Sequence, residues 1–372
     1  MNPSLLWLAA ALFTWGIGEG MFFYFQPIYL AQLGANPVQI GAILGAAGIA
    51  MMLAHIPAGA LTDKIGARPL LRSAWLLGLL AAWLMAAAQS LPLFIAGMLL
   101  YGFTAFVAAP LNTYVTAARG PWSIGRALTL ISATFNLGIF IGPLLGGYLG
   151  DQYGLRTVYF VAASIFIFST TLIFFLSAQP ISPPDPADPP ASLLKNPAYL
   201  GYLAFGFFIM LALYLPQPFS PKFLQEIRGL SLAQIGLLGS IGGLGNTTLN
   251  YLLGHIKNPR YGFILGQATV ALFAFILWQF SALPLLMIAY FIFGGSRAAR
   301  TLYIAQIRPL VHPSQLGLAY GIAETIGSLV IATAPVMVGF LYNWQPISIY
   351  PVSLAAVTIG MLLTLVLHKQ TP

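Results

Sequence analysis

The stretch GALTDKIGARPLL, Gly59–Leu71, puts Asp63, Lys64 and Arg68 between two long apolar runs, and Arg72 follows directly. Only 6% of the 372 residues are charged and 59% are hydrophobic, so this clustering marks a place where the chain meets water. With a mean hydropathy of +0.87, a water-soluble globule would have to show a mostly apolar surface. The flanking runs, 37–60 and 69–88, each hold the roughly 20 apolar residues a membrane-spanning helix needs.

Working outward, the same pattern predicts twelve spans, at 5–33, 37–60, 69–88, 91–117, 123–149, 157–178, 198–224, 231–255, 261–281, 283–308, 317–342 and 347–367. The short alternating segments of a transmembrane barrel are absent from the sequence. The fold class expected is therefore an all-α membrane protein embedded in a lipid bilayer.

The formal charge of +8 is an orientation signal. With the N-terminus in the cytoplasm, Lys64, Arg68, Arg72, Arg119, Arg126, Lys195, Lys257, Arg260, Arg308 and Lys369 all fall inside, against Arg156, Lys222 and Arg228 outside. That asymmetry predicts a plasma-membrane protein with both termini cytoplasmic, and it removes the reason to invoke nucleic acid. MNPSLLW has neither a charged leader region nor a cleavage pattern, so the first span is expected to be retained. A chain without cysteine has no disulfides, thiol catalysis or thiolate metal sites.

One composition break divides the chain. QPISPPDPADPP, residues 179–190, carries six prolines and reads as an extended linker. The expected domains are a six-helix bundle over 1–178, a cytoplasmic linker over 179–197 and a second bundle over 198–372. A shift of 192 residues aligns Gly102 with Gly294, Pro121 with Pro313, Gly125 with Gly317, Pro143 with Pro335 and Gly147 with Gly339. A shift of 195 aligns Gln39-Ile40-Gly41 with Gln234-Ile235-Gly236. Parallel repeats in a membrane imply a pseudo-two-fold axis along the normal and a site near the midplane.

With these features the sequence resembles the major facilitator superfamily of secondary transporters. Gly59, Leu61, Asp63, Lys64, Gly66, Arg68 and Leu71 look like that family's signature between its second and third helices, departing from it at Ala67. The resemblance implies two pseudo-symmetric six-helix bundles working by alternating access. It also implies that Asp63 sits at the N-terminus of the eleventh span, where a helix dipole favours a carboxylate, and that Lys64 and Arg68 add ion pairs closing the cytoplasmic side. Gly138, Gly142, Pro143, Gly146 and Gly147 in the fifth span look like the family's antiporter motif, with Thr129 in place of an upstream glycine. Ordinary close packing of helices explains the same residues equally well. Where the family would have an arginine in the fourth span, this chain has Met98.

Two of the seven acidic residues, Glu19 and Glu324, fall within spans. Each costs roughly 2.5–3.5 kcal/mol on insertion scales, so intramembrane acids mark pathways by default. Helical spacing puts Trp15, Glu19, Phe22, Phe23 and Gln26 on one stripe, and the first span lines the cavity in the resembling family. Arg300 and Glu324 reach similar depth on consecutive antiparallel spans and are expected to pair, while Arg297 is left for Glu19 or for an anionic substrate group. Tyr101, Asn112, Tyr214, Gln217 and Tyr290 complete the expected substrate and proton cavity. His55 and His255 lack neighbours at ligand spacing, so neither a metal nor another cofactor is expected.

The function expected is proton-coupled export of a small amphipathic or drug-like molecule by a monomer. A proton-linked importer of sugars or nucleosides is the alternative, because FQPIYLAQLGANPVQIG (25–41) also resembles that branch, and transport of an organic anion is a third. An intramembrane enzyme would need a nucleophile elbow or a metal-spaced histidine cluster, and the sequence shows neither; a channel would show a ring of filter residues, and none is visible.

Overall fold

The computed structural model describes residues 3–179, 193–256, 258–311 and 316–367. Most of the expected linker, together with Lys257 and Lys369, lies outside the described residues, as does the side chain of Asp63.

The described chain is helical throughout: α1 (Pro3–Phe23), α2 (Gln26–Gln32), α3 (Pro37–Ile65), α4 (Ala67–Ala87), α5 (Leu91–Phe103), α6 (Ala108–Ala118), α7 (Ile124–Tyr153), α8 (Leu155–Ile173), α9 (Pro197–Tyr214), α10 (Ser220–Glu226), α11 (Leu232–Gly254), α12 (Pro259–Gln279), α13 (Leu283–Phe293), α14 (Gly295–Ala305), α15 (Leu316–Trp344) and α16 (Ile349–Leu367). Each of the twelve predicted stretches falls on one of these helices or on consecutive ones. Among the described residues, ten helical runs are long and apolar enough to cross a membrane. The two stretches that fall short have local causes. α11 is diluted by glycine, asparagine and threonine, and the tenth stretch breaks at Gly294 into apolar α13 and arginine-bearing α14.

Several boundaries follow from side chains that satisfy the unpaired N–H groups of a first turn. Ser123 accepts from the Arg126 N–H, Asn196 from the Tyr199 N–H and Asn258 from the Arg260 N–H. Between α3 and α4 the chain turns at Gly66, whose φ of 83° is a conformation only glycine adopts without strain.

Two compact units emerge, the first made of Met1–Ala35, Ala46–Asp185 and Leu230–Ser240, the second of Asn36–Gly45, Pro186–Gly229 and Ile241–Pro372. Within the first, α1 lies against α7 and α8, and α4 against α5 and α8. Gly138, Gly142 and Gly146, four residues apart, turn one face of α7 toward α1. A Cβ on Gly142 would stand 2.5 Å from the Ile17 carbonyl oxygen and 2.7 Å from the Cα of Gly20. These motif glycines let two backbones touch, as small residues do between helices in lipid. Within the second unit α12 packs on α13, α14 and α16, and α15 on α9.

The repeated triplets have a common physical role in the two units. Asn36 and Gln39 exchange side-chain and backbone hydrogen bonds at 2.9 Å, a reciprocal cap on α3. Ser231 and Gln234 do the same for α11, at 3.0 and 3.2 Å. Ile40 and Ile235 are wholly buried. In the second unit Gly41 meets the Pro335 carbonyl and the Cα of Gly339, and in the first Gly236 meets the Pro143 carbonyl and the Cα of Gly147. Residues matched by the repeat thus meet each other at two equivalent helix crossings. The first crossing also carries an acid: the Asp151 carboxylate accepts from the Leu232 and Ala233 N–H groups at 2.8 and 2.9 Å.

Basic residues near span ends also close helices. Arg72 donates to the Phe174 carbonyl at 2.7 Å, and Arg260 to the Leu365 carbonyl at 2.7 Å, each placing positive charge where helix carbonyls run out of partners. Lys222, expected on the outer side at the end of the seventh span, is buried in α10, paired with Glu226 and lying over the Tyr342 ring.

Candidate functional site: an aromatic cavity around Glu19

The first unit lines a cavity of about 410 Å³ formed by α1–α7. Its wall is mainly apolar, from Leu12, Met51, Trp75, Met98, Leu111, Val115, Leu128, Ile131 and Phe135. Polar groups enter at a few points: Glu19, Gln26, Tyr101, Thr104, Asn112 and Ser132. A largely apolar hollow with few polar groups is the usual character of a small-molecule site.

Glu19 is the sole acid among the lining residues. Tyr101 Oη donates to Glu19 Oε2 at 2.7 Å, and the indole N–H of Trp15 is shared between Glu19 Oε2 at 3.2 Å and Tyr101 Oη at 3.1 Å. Trp15 and Glu19 are one helical turn apart, which puts both on the cavity side of α1. The indole is fixed by packing, since it stacks on Phe166 with centroids 3.9 Å apart and planes 3° apart. Two glycines make that stack possible. A side chain at Gly78 would overlap the indole, and one at Gly18 would come within 2.5 Å of the Phe166 ring.

Glu19, Phe23, Gln26, Tyr101 and Asn112 all line this cavity. Phe22 does not, which corrects its expected place there. It is wholly buried, edge-on to Tyr101 at 5.5 Å and packed on Tyr159 and Phe166. The stripe is too narrow to include it, because its ring turns toward α8 instead. Tyr290 requires the same correction. It is 3% exposed and sits in the core of the second unit, donating to Ser220 Oγ at 3.0 Å and edge-on to Phe273. Tyr214 and Gln217 occupy the turn from α9 to α10, where the Gln217 N–H donates to the Tyr214 carbonyl at 3.0 Å. Arg300 and Glu324 form an ion pair in the second unit, and Arg297 is exposed one turn earlier.

A second cavity of about 620 Å³ in the first unit is lined by Arg68, Arg119, Tyr114 and the Gly66 turn. Of the loop motif, Lys64 is exposed, and the side chain of Asp63 lies outside the described residues. The sequence had no direct signal for Trp75, Phe166 or Ser132 at the site. Gly18 and Gly78 were the available clue, as gaps in apolar helices that a large ring must fill.

The Major Facilitator Superfamily model matches residues 6–262 and 206–372. The chain is 27% identical over 374 residues to the multidrug resistance protein MdtG of Proteus mirabilis, with 91% of this chain and 89% of that protein aligned. It is 26% identical over 174 residues to the uncharacterized MFS-type transporter MJ1560 of Methanocaldococcus jannaschii, which covers 46% of this chain and only 45% of that one. In fold it is similar to a crystal structure of the nucleoside transporter NupG, with a TM-score of 0.85, 13% identity, and 97% and 99% of the two chains covered. The all-helical architecture, the glycine-mediated helix crossings and these matches lead to one conclusion: the chain belongs to the Major Facilitator Superfamily and is a multi-pass membrane transport protein.

Proposed function

We propose that the protein is a secondary transporter working by alternating access, exporting small amphipathic or drug-like molecules in exchange for protons. The observation that carries this is the single carboxylate of Glu19 at the edge of an apolar, aromatic-walled cavity, held by two donors and no cation among the described residues. An acid so placed can take a proton or balance a positive charge on a ligand, and the two events exclude each other. That exclusion is the chemical basis of exchange. Trp15, Tyr101 and Phe135 offer flat faces to an amphipathic molecule, while Met51 and Met98 adapt to different shapes. The relationship to MdtG, named for multidrug resistance, supports the same reading.

The protein acts in this reading as a monomer in the cytoplasmic membrane, with both termini inside by the distribution of Lys and Arg. Asp63, Lys64 and Arg68 serve as the cytoplasmic gating charges, and the chemistry is transport without an enzymatic step. A second reading, import of a nucleoside or sugar with protons, is favoured by Gln26, Asn112 and Ser132 on the same cavity wall, which suit a hydroxylated ligand.

The test is purified protein in liposomes with an imposed pH gradient, offered a fluorescent amphipathic cation or a labelled nucleoside. Gradient-driven movement of the cation that is lost in Glu19→Gln supports the first reading. Movement of the nucleoside alone supports the second. A Glu19→Gln variant with an undiminished response to the gradient refutes the role given to this acid.

A further inference from the structure

α14 in the second unit has two unlike faces. Ala298, Ala299, Leu302 and Tyr303 are buried in the core, where α14 packs against α9 and α12. On the other side Arg297 and Thr301, one turn apart, are exposed. The buried face fixes the rotation of the helix, so the arginine cannot turn inward.

Neighbouring charges do not neutralise Arg297. Arg300 is paired with Glu324, both side chains being about half exposed at 43% and 50%. The Thr301 hydroxyl donates to the Arg297 carbonyl and leaves the guanidinium untouched. Among the described residues no carboxylate reaches Arg297, so Arg297, Arg300 and Glu324 together carry one net positive charge.

The position of this charge makes it informative. α13, immediately before it, carries no charged residue, and Arg297 precedes the end of α14 by eight residues, roughly 12 Å of helix. That is farther than a side chain can snorkel to the interface. A guanidinium facing hydrocarbon at such depth would be strongly unfavourable, so this face of α14 meets water or a ligand. A guanidinium presents a planar fork of donors that matches a carboxylate or sulfonate.

We infer that Arg297 is a binding site for a monoanionic carboxylate or sulfonate group on a transported molecule, with the Arg300 and Glu324 pair setting the charge of the site at one. The site goes beyond the proposed role of Glu19 and does not require it. Ligands with an acidic group on an apolar body are the class it would take.

The experiment compares thermal stabilisation of the purified protein by benzoate, benzenesulfonate, benzyl alcohol and benzylamine at equal ionic strength. A ligand that binds only the folded protein raises its melting temperature. The expected result is stabilisation by the two anions beyond the neutral alcohol, with apparent anion affinity reduced about tenfold or more in Arg297→Gln and only partly kept in Arg297→Lys, which retains the charge without the planar fork. Glu324→Gln frees a second guanidinium and should tighten anion binding, an effect that a purely structural pair would not produce. Gly201→Ala, at a glycine of α9 with open space around it, is the control and should leave anion binding unchanged. No anion-specific stabilisation of the wild type, or equal stabilisation of Arg297→Gln, would overturn the inference. Should Arg297→Gln fail to fold, unchanged anion affinity in Glu324→Gln would overturn it as well.

Discussion

Gly236 of α11 stands directly against the carbonyl of Pro143 in α7, with no room between them for a Cβ. A proline inside a helix leaves the carbonyl one turn before it without its N–H partner, and the same proline here presents its own carbonyl to a bare glycine. The equivalent pair, Gly41 against Pro335, repeats the contact in the second unit. The repeat in the sequence is therefore the record of a twice-used crossing.

Gly236→Ala and Gly41→Ala should each destabilise by about 1–3 kcal/mol, the usual range for overpacking. Thermal unfolding in detergent measures it. A neutral effect at either position would mean that the helices part easily there.

At the first crossing, Asp151→Ala removes a carboxylate that accepts two backbone N–H groups at the start of α11. The expected loss is about 1 kcal/mol, typical of losing a cap. Asp151→Asn should lose less and be less sensitive to salt, because it keeps an acceptor and gives up the charge. The chain has no cysteine, so single cysteines introduced near Leu232 would report directly on the local opening through labelling rates.

Tyr101→Phe deletes the 2.7 Å hydrogen bond to Glu19 and retains the ring. If Glu19 carries the exchanged proton, the pH dependence of transport should shift while protein stability changes by no more than about 1–3 kcal/mol. An unshifted profile would separate Tyr101 from the proton step.

Gly78→Ala forces the Trp15 indole out of its stack on Phe166, since the new methyl would occupy the space of that ring. Transport should fall with it, and the tryptophan emission should change. Gly201→Ala, at a glycine with open space around it, is the matched control and should leave both unaltered.

The sequence alone determined much of this protein. Hydropathy over windows of about 20 residues located the helices, because a chain in lipid must satisfy its backbone internally and has few ways to do so. The distribution of Lys and Arg supplied the expected topology, and depth counted from span ends anticipated the pairing of Arg300 with Glu324. The triplets Gln39-Ile40-Gly41 and Gln234-Ile235-Gly236 were visible as a repeat. Their meeting with Pro335 and Pro143 was not, since those contacts join residues about 100 to 300 positions apart and leave no local mark.

Tertiary structure alone decided which face of each helix met the cavity. Phe22 and Phe23 are adjacent in sequence and equal in hydropathy, yet one is sealed among Tyr101, Tyr159 and Phe166 while the other lines the cavity. In a membrane both the outside and the core of a helix are apolar, so the polar–apolar alternation that orients helices in water is missing. Orientation is instead set by where small residues such as Gly18 and Gly78 leave space for large rings, and that depends on partners brought together only by the fold.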